Sequence, residues 1–248
     1  MKYRATVCYD GTEFNGFQRQ ANGRSVQGEI EAALAKITGS AVLVNGAGRT
    51  DTGVHASGQV VAFELDWPHS PEALTRAINI NVPRDVAVSQ TAICDEPFHP
   101  RFSAISRTYE YSVIASSVPL PLERRYAWVI DVVPDIQQMN DAAKCLLGEH
   151  DFAAFGTPPS GENTLRRVIR ADWQVLEERP LRLRFTIVAN AFLFRMVRRI
   201  VDTLVRVGLG KLMPDQVNDI LLSKNSARVK GLAPACGLNL VKVTYLVR

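Results

Sequence analysis

Between two strand-like runs the chain carries Gly46-Ala47-Gly48-Arg49-Thr50-Asp51-Thr52-Gly53-Val54-His55, which puts three glycines, an arginine and one carboxylate into a single loop. Glycines allow positive φ and close backbone approach. In an arbitrary loop Asp51 would do no more than hydrogen-bond its own backbone. In this string a positive charge stands two residues before the aspartate and favours the ionised carboxylate that a nucleophile or general base needs near neutral pH.

Other chemistries fit the sequence less well. Asp51-Thr52-Gly53 matches the aspartic protease triplet, but no second triplet is present and Arg49 and Thr50 precede it where an apolar strand is expected. The segment from Asp10 to Gly16 lacks the ligand spacing and closing glutamate of an EF-hand. His55, His69, His99 and His150 form no H-E-x-x-H pattern, and no phosphate-binding glycine loop ending in Lys-Ser/Thr occurs. The cysteines Cys8, Cys94, Cys145 and Cys236 make no C-x-x-C pair. No metal and no cofactor is therefore expected, and scattered free thiols suggest a reducing, cytoplasmic setting.

The elements that must position Asp51 read clearly. Tyr3 to Asp10 reads as a strand, and a helix capped by Ser25 follows, with Ile30, Ala33, Leu34 and Ile37 at helical spacing up to Gly39. Val42 to Asn45 and Gln59 to Leu65 read as strands around the glycine loop, Pro71 to Ile80 as a helix and Val86 to Thr91 as a strand. The order is β-α-β-β-α-β. After the polar segment Cys94 to Arg101 it recurs with insertions. Thr108 to Ala115 is a strand, Ile136 to Leu147 a helix, Val168 to Leu176 and Leu183 to Ala189 a hairpin, Phe194 to Val207 and Pro214 to Leu222 helices, and Leu238 to Leu246 a strand. The expected fold is α+β, two fused split β-α-β (ferredoxin-like) halves, residues 1–104 and 105–248, with sheets joined side by side and a cleft between them.

Composition agrees with a globular chain. Of 248 residues 46% are hydrophobic and 22% charged, and no apolar run approaches the roughly 20 residues of a membrane span. The net charge of +4 comes with 22 arginines against 7 lysines, and the guanidinium fork suits bidentate phosphate contacts.

GRTDTGVHASGQVVAF resembles the signature of the TruA family of pseudouridine synthases, which modify uridines at positions 38, 39 and 40 of the tRNA anticodon arm. YDGTEFNGFQRQ, NVPRDVAV, FHPRFSAISRTYEYSV, CLLGEHDFAAF and NAFLFRMVRRIVDTLVRVGLG follow in that family's order across nearly the whole chain. The resemblance implies that Asp51 is the nucleophile and that Arg49, preceding it, is also catalytic. It implies that Tyr109, first tyrosine of Arg107-Thr108-Tyr109-Glu110-Tyr111, stacks on the target base, and that Arg198 pairs with the catalytic aspartate. It further implies a homodimer, with one tRNA contacting both subunits. Thr52, Phe17 and Pro100 depart from residues frequent in the family, and none is a catalytic position.

The residue types suit that reaction. Pseudouridylation needs no redox partner or metal, and a carboxylate can attack the anomeric carbon, add to the ring, or remove a ribose proton. Tyr109 and Tyr111 share one face of a strand, so one ring can stack on an extruded uracil or both can be core. Arg195, Arg199 and Arg206 share a polar stripe with Arg198, and Asp202 can pair with Arg198 or Arg199. Arg19, Arg24, Arg107 and Arg195 are candidates for RNA phosphate contacts. The competing expectation is a catalytically inactive tRNA-binding protein of the same fold.

Overall fold

The computed structural model describes residues 1–94, 98–159 and 161–246, so part of the segment Cys94 to Arg101 and of the loop Phe155 to Thr164 lies outside the described residues. The chain forms two compact units, one of residues 1–105 with 239–248, the other of Ser106–Leu238.

In the first unit the elements are β1 (Lys2–Tyr9), α1 (Val26–Thr38), β2 (Val44–Gly46), β3 (His55–Glu64), α2 (Pro71–Asn81) and β4 (Val86–Ile93). Alternation sets β1: Tyr3, Ala5, Val7 and Tyr9 are buried and the residues between them are not. The Ser25 hydroxyl accepts from the Gly28 amide at 3.3 Å and starts α1, and Gly39 ends it at φ 73. Ser70 caps α2 in the same way, with Pro71 in the first turn. β1 runs antiparallel to both β3 and β4, and β2 antiparallel to β3. The order β4-β1-β3-β2 is that of a split β-α-β unit. The last strand, β10 (Leu238–Tyr245), lies parallel on β3 with Asn239 opposite His55. Leu34, Phe63, Leu74 and Ile78 fill the core between sheet and helices.

The second unit holds β5 (Ala104–Ala115), β6 (Trp128–Ile130), α3 (Ile136–Ala143), β7 (Gly148–Asp151), β8 (Leu165–Glu178), β9 (Leu181–Ala189), α4 (Met196–Gly208) and α5 (Pro214–Ser223). Its strands run in the order β5-β9-β8-β7, with β6 parallel on β5. Phe152, Phe155, Trp173, Phe185 and Leu204 form its core.

Two expected helices shorten. α4 starts at Met196 because Arg195 has φ 62, outside helical space. α3 stops at Ala143 and tightens into a 3₁₀ turn over Lys144–Leu146.

Candidate active site

Asp51 sits on a loop whose shape is set by the backbone around it. On the strand side, the Ala47 amide donates to the Val60 carbonyl at 2.8 Å, and the buried Gln59 side chain donates to the Gly48 carbonyl at 2.8 Å. On the other side lies Tyr9 to Phe17. The Tyr9 and Thr50 hydroxyls share a buried 2.8 Å hydrogen bond, and the Phe17 amide donates to the Thr50 carbonyl at 3.2 Å. The Val54 amide closes a turn onto the Asp51 carbonyl at 3.1 Å, and the Gly53 amide donates to the Phe14 carbonyl at 3.3 Å. The first and second sequence motifs are thus one object, a cradle and the loop it holds.

Two glycines make the cradle possible. A Cβ on Gly11 would lie 2.0 Å from the Val54 carbonyl oxygen, and one on Gly16, at φ 95, would lie 2.6 Å from the Thr50 oxygen. Gly46 lets the Phe17 ring lie directly on it. His55 Nδ1 accepts the Gly11 amide at 3.0 Å and lies 3.3 Å from Asp10 Oδ1.

Thr50 turns inward and is buried, whereas Arg49 is exposed. Among the described residues the Arg49 guanidinium forms neither hydrogen bond nor ion pair, so it does not clamp Asp51. It presents a cation to solvent beside the loop.

In the second unit Tyr109 and Tyr111 point the same way from β5, as the alternation requires. Tyr109 is 8% exposed, with its ring edge-on to Phe192 at 5.0 Å. Tyr111 is wholly buried, and its hydroxyl donates to the Pro234 carbonyl at 2.8 Å. Burial first, then the neighbouring Cys236 and Asp202, push the Tyr111 phenol well above its ordinary pKa, with Arg198 acting in the opposite sense.

Arg198 is half-buried on α4, where its Nε donates to the Ala233 carbonyl at 2.7 Å. Asp202, one turn on, takes neither arginine as an ion-pair partner among the described residues. Its Oδ2 is buried without a hydrogen bond, close to where a Cβ on Gly231 would sit, and desolvation raises its pKa.

The four arginines proposed for phosphate differ in their surroundings. Arg24 bonds Glu29 at 2.7 Å and Asp85 at 2.6 Å, and its guanidinium lies over the Phe14 ring. Arg19 pairs with Glu31 at 3.0 Å. Arg107 is buried and donates to the Asn190 carbonyl at 2.7 Å. Arg195 is exposed, has no carboxylate partner among the described residues, and rests over Phe194.

Among the described residues no cluster of histidine, cysteine and carboxylate side chains could hold a metal ion, and no helix is long and apolar enough to cross a membrane.

A sequence model described as tRNA pseudouridine synthase matches residues 5–103 and 142–246. The tRNA pseudouridine synthase A of Pseudothermotoga lettingae is 40% identical over 245 residues, covering 98% of this chain and 99% of its own length. That of Bacillus subtilis is 38% identical over 248 residues, covering 99% of each. A chain in a crystal structure of a Cbf5-Nop10-Gar1 complex aligns over 96% of this chain and 57% of its own length at 13% identity and TM-score 0.34, too low to bear on the fold. The chain belongs to the tRNA pseudouridine synthase family, and as an enzyme it is an isomerase.

Proposed function

We propose that the chain converts uridine to pseudouridine at positions 38, 39 and 40 of the tRNA anticodon arm, with Asp51 as nucleophile acting on an extruded base. The observation that carries this reading is the Asp51 loop, a single carboxylate held between β3 and the Tyr9–Phe17 cradle by backbone bonds and by the Tyr9 and Gln59 side chains. Such fixation matters because a nucleophile gains rate from a preset position.

The reaction is an isomerisation. The bond from the ribose anomeric carbon to ring nitrogen 1 breaks, the base turns, and the anomeric carbon bonds ring carbon 5. The proton leaves carbon 5 and nitrogen 1 gains one, so the balance closes without oxidant or co-substrate. Asp51 serves by attack on the anomeric carbon, by addition to the ring, or by removing a ribose proton, and each route starts from the carboxylate.

In this reading Arg198 supplies the cation that orients that charge. Arg49, facing solvent, meets the phosphate backbone or the strand left behind by the extruded base. Tyr109 is the ring that stacks on the uracil, and stacking of this kind is worth roughly 1–3 kcal/mol per base. Of the proposed RNA contacts, Arg195 has the most available charge, while Arg19, Arg24 and Arg107 already hold protein partners. A homodimer sharing one tRNA between subunits, and a cytoplasmic site of action, belong to the same proposal on the strength of the family resemblance.

The test is release of tritium from ring carbon 5 of labelled tRNA, with and without uridines at 38–40. Release confined to the tRNA that carries them supports the reading. Tight binding without release would instead mark an inactive tRNA-binding protein.

A further inference from the structure

We propose that Tyr111 is a positioning residue for Arg198 and acts through the segment Gly231 to Gly237. The proposal rests on the reading of Arg198 as the active-site cation. Two consecutive carbonyls carry it: that of Ala233 accepts from Arg198 Nε at 2.7 Å, and that of Pro234 accepts from the Tyr111 hydroxyl at 2.8 Å. The Ala233 amide in turn donates to the Arg198 carbonyl at 3.2 Å. The segment is therefore tied to α4 on one side and to β5 on the other.

Both ends of the segment are fitted by glycines. A Cβ on Gly231 would fall 2.1 Å from Asp202 Oδ2, and one on Gly237 would fall 2.6 Å from the Tyr111 ring. The segment lies flat against the helix that carries Arg198 and the strand that carries Tyr111.

Arg198 has one Nε–H, and the direction of that bond fixes the plane in which its two terminal nitrogens point. That carbonyl belongs to the 233–234 peptide and the Pro234 carbonyl to the 234–235 peptide; the two units meet at the Pro234 Cα, where the proline ring fixes φ at −50 and so passes a shift of one to the other. Tyr111 is wholly buried, so its hydroxyl reaches no solvent and holds the Pro234 carbonyl continuously. Without that hydroxyl the 234–235 peptide gains freedom, the 233–234 peptide joined to it at Pro234 follows, and with it the guanidinium plane.

The experiment is single-turnover tritium release from ring-labelled tRNA with enzyme in excess, so that the plateau rate is independent of the fraction of folded enzyme and the half-saturating concentration reads tRNA affinity. Tyr111→Phe is expected to lower the plateau rate roughly three- to tenfold, the size of one neutral hydrogen bond, with affinity unchanged. Arg198→Lys keeps the charge and loses Nε, and adding Tyr111→Phe to it is expected to cost nothing more. Gly237→Ala, which pushes on the Tyr111 ring, is expected to reproduce the loss in rate.

A Tyr111→Phe enzyme with the wild-type plateau rate overturns the proposal, as do losses that multiply in the double variant. Full turnover by Arg198→Met would overturn the reading of Arg198 itself, and that arm reports it separately from the Tyr111 arms.

Discussion

The Asp51 loop and the Arg198 helix hold their functional groups by opposite means. Around Asp51 the restraints are mainly backbone to backbone, supplemented by the Tyr9 and Gln59 side chains, and Gly11 and Gly16 sit where any Cβ would strike a peptide unit. Around Arg198 and Tyr111 the restraints are side chains of a regular helix and strand, reaching two carbonyls of one segment. A backbone-built site is all or nothing, because a misplaced peptide moves everything on it. A site built from side chains can be detuned one hydrogen bond at a time.

The contrast breaks most visibly at the nucleophile. Asp51→Ala is expected to reduce tritium release by about 10³-fold or more and to leave tRNA affinity within a few-fold, measured by filter binding beside the activity assay. Near-normal release would remove Asp51 from the mechanism.

Next in size is the cradle. Gly11→Ala drives a methyl into the Val54 carbonyl and is expected to cost about 3 kcal/mol, read as the urea midpoint at constant m. Gly48 has open space where its Cβ would be, so Gly48→Ala is expected to stay within about 0.5 kcal/mol of wild type. Equal losses at the two positions would show that the loop is not backbone-locked.

On the β5 strand, Tyr109→Leu is expected to lower kcat/KM by about 5- to 150-fold, equivalent to roughly 1–3 kcal/mol of lost stacking. Tyr109→Phe should keep most of the rate. Equal losses in both would shift the role from the ring to the hydroxyl.

The smallest effect concerns Asp202. Burial raises its folded pKa above the unfolded value, so this carboxyl favours the folded state below the unfolded pKa, and that contribution is lost as pH rises. Asp202→Asn is accordingly expected to stabilise the protein by about 1 kcal/mol at neutral pH, with the gain fading as pH falls through the raised folded pKa and gone below the unfolded value of about 4. A thermal melt series across pH measures it, and a destabilised variant at pH 7 would show that the charge has a partner.

The sequence made the regular elements legible because their periodicity is strong. The β1 alternation, the Ser25 and Ser70 caps and the Gly39 stop each rest on a local rule that tertiary context did not override. β7 was not legible, since Gly148-Glu149-His150-Asp151 is polar and becomes a strand only by pairing with Leu165 to Val168. β6 is three residues long and gives periodicity nothing to work on. At the site, the glycine loop and the tyrosine pair stood out by residue type. Their supports did not, because the Tyr9–Thr50 bond spans 41 residues and the Tyr111–Pro234 bond spans 123. Asp202 beside two arginines suggested a helix ion pair, but its carboxylate faces Gly231 instead.

The parallel seat of β10 on β3, with Asn239 opposite His55, also sets an order in time. During synthesis at 5–20 residues per second, the strand that flanks the end of the nucleophile loop leaves the ribosome roughly 10–40 s after the loop itself. The unit translated first is the one completed last, and through that interval the nascent chain carries β3 with part of one edge uncovered, so a nascent-chain truncation ending before Asn239 should lack activity although every residue of the Asp51 loop and its cradle is present.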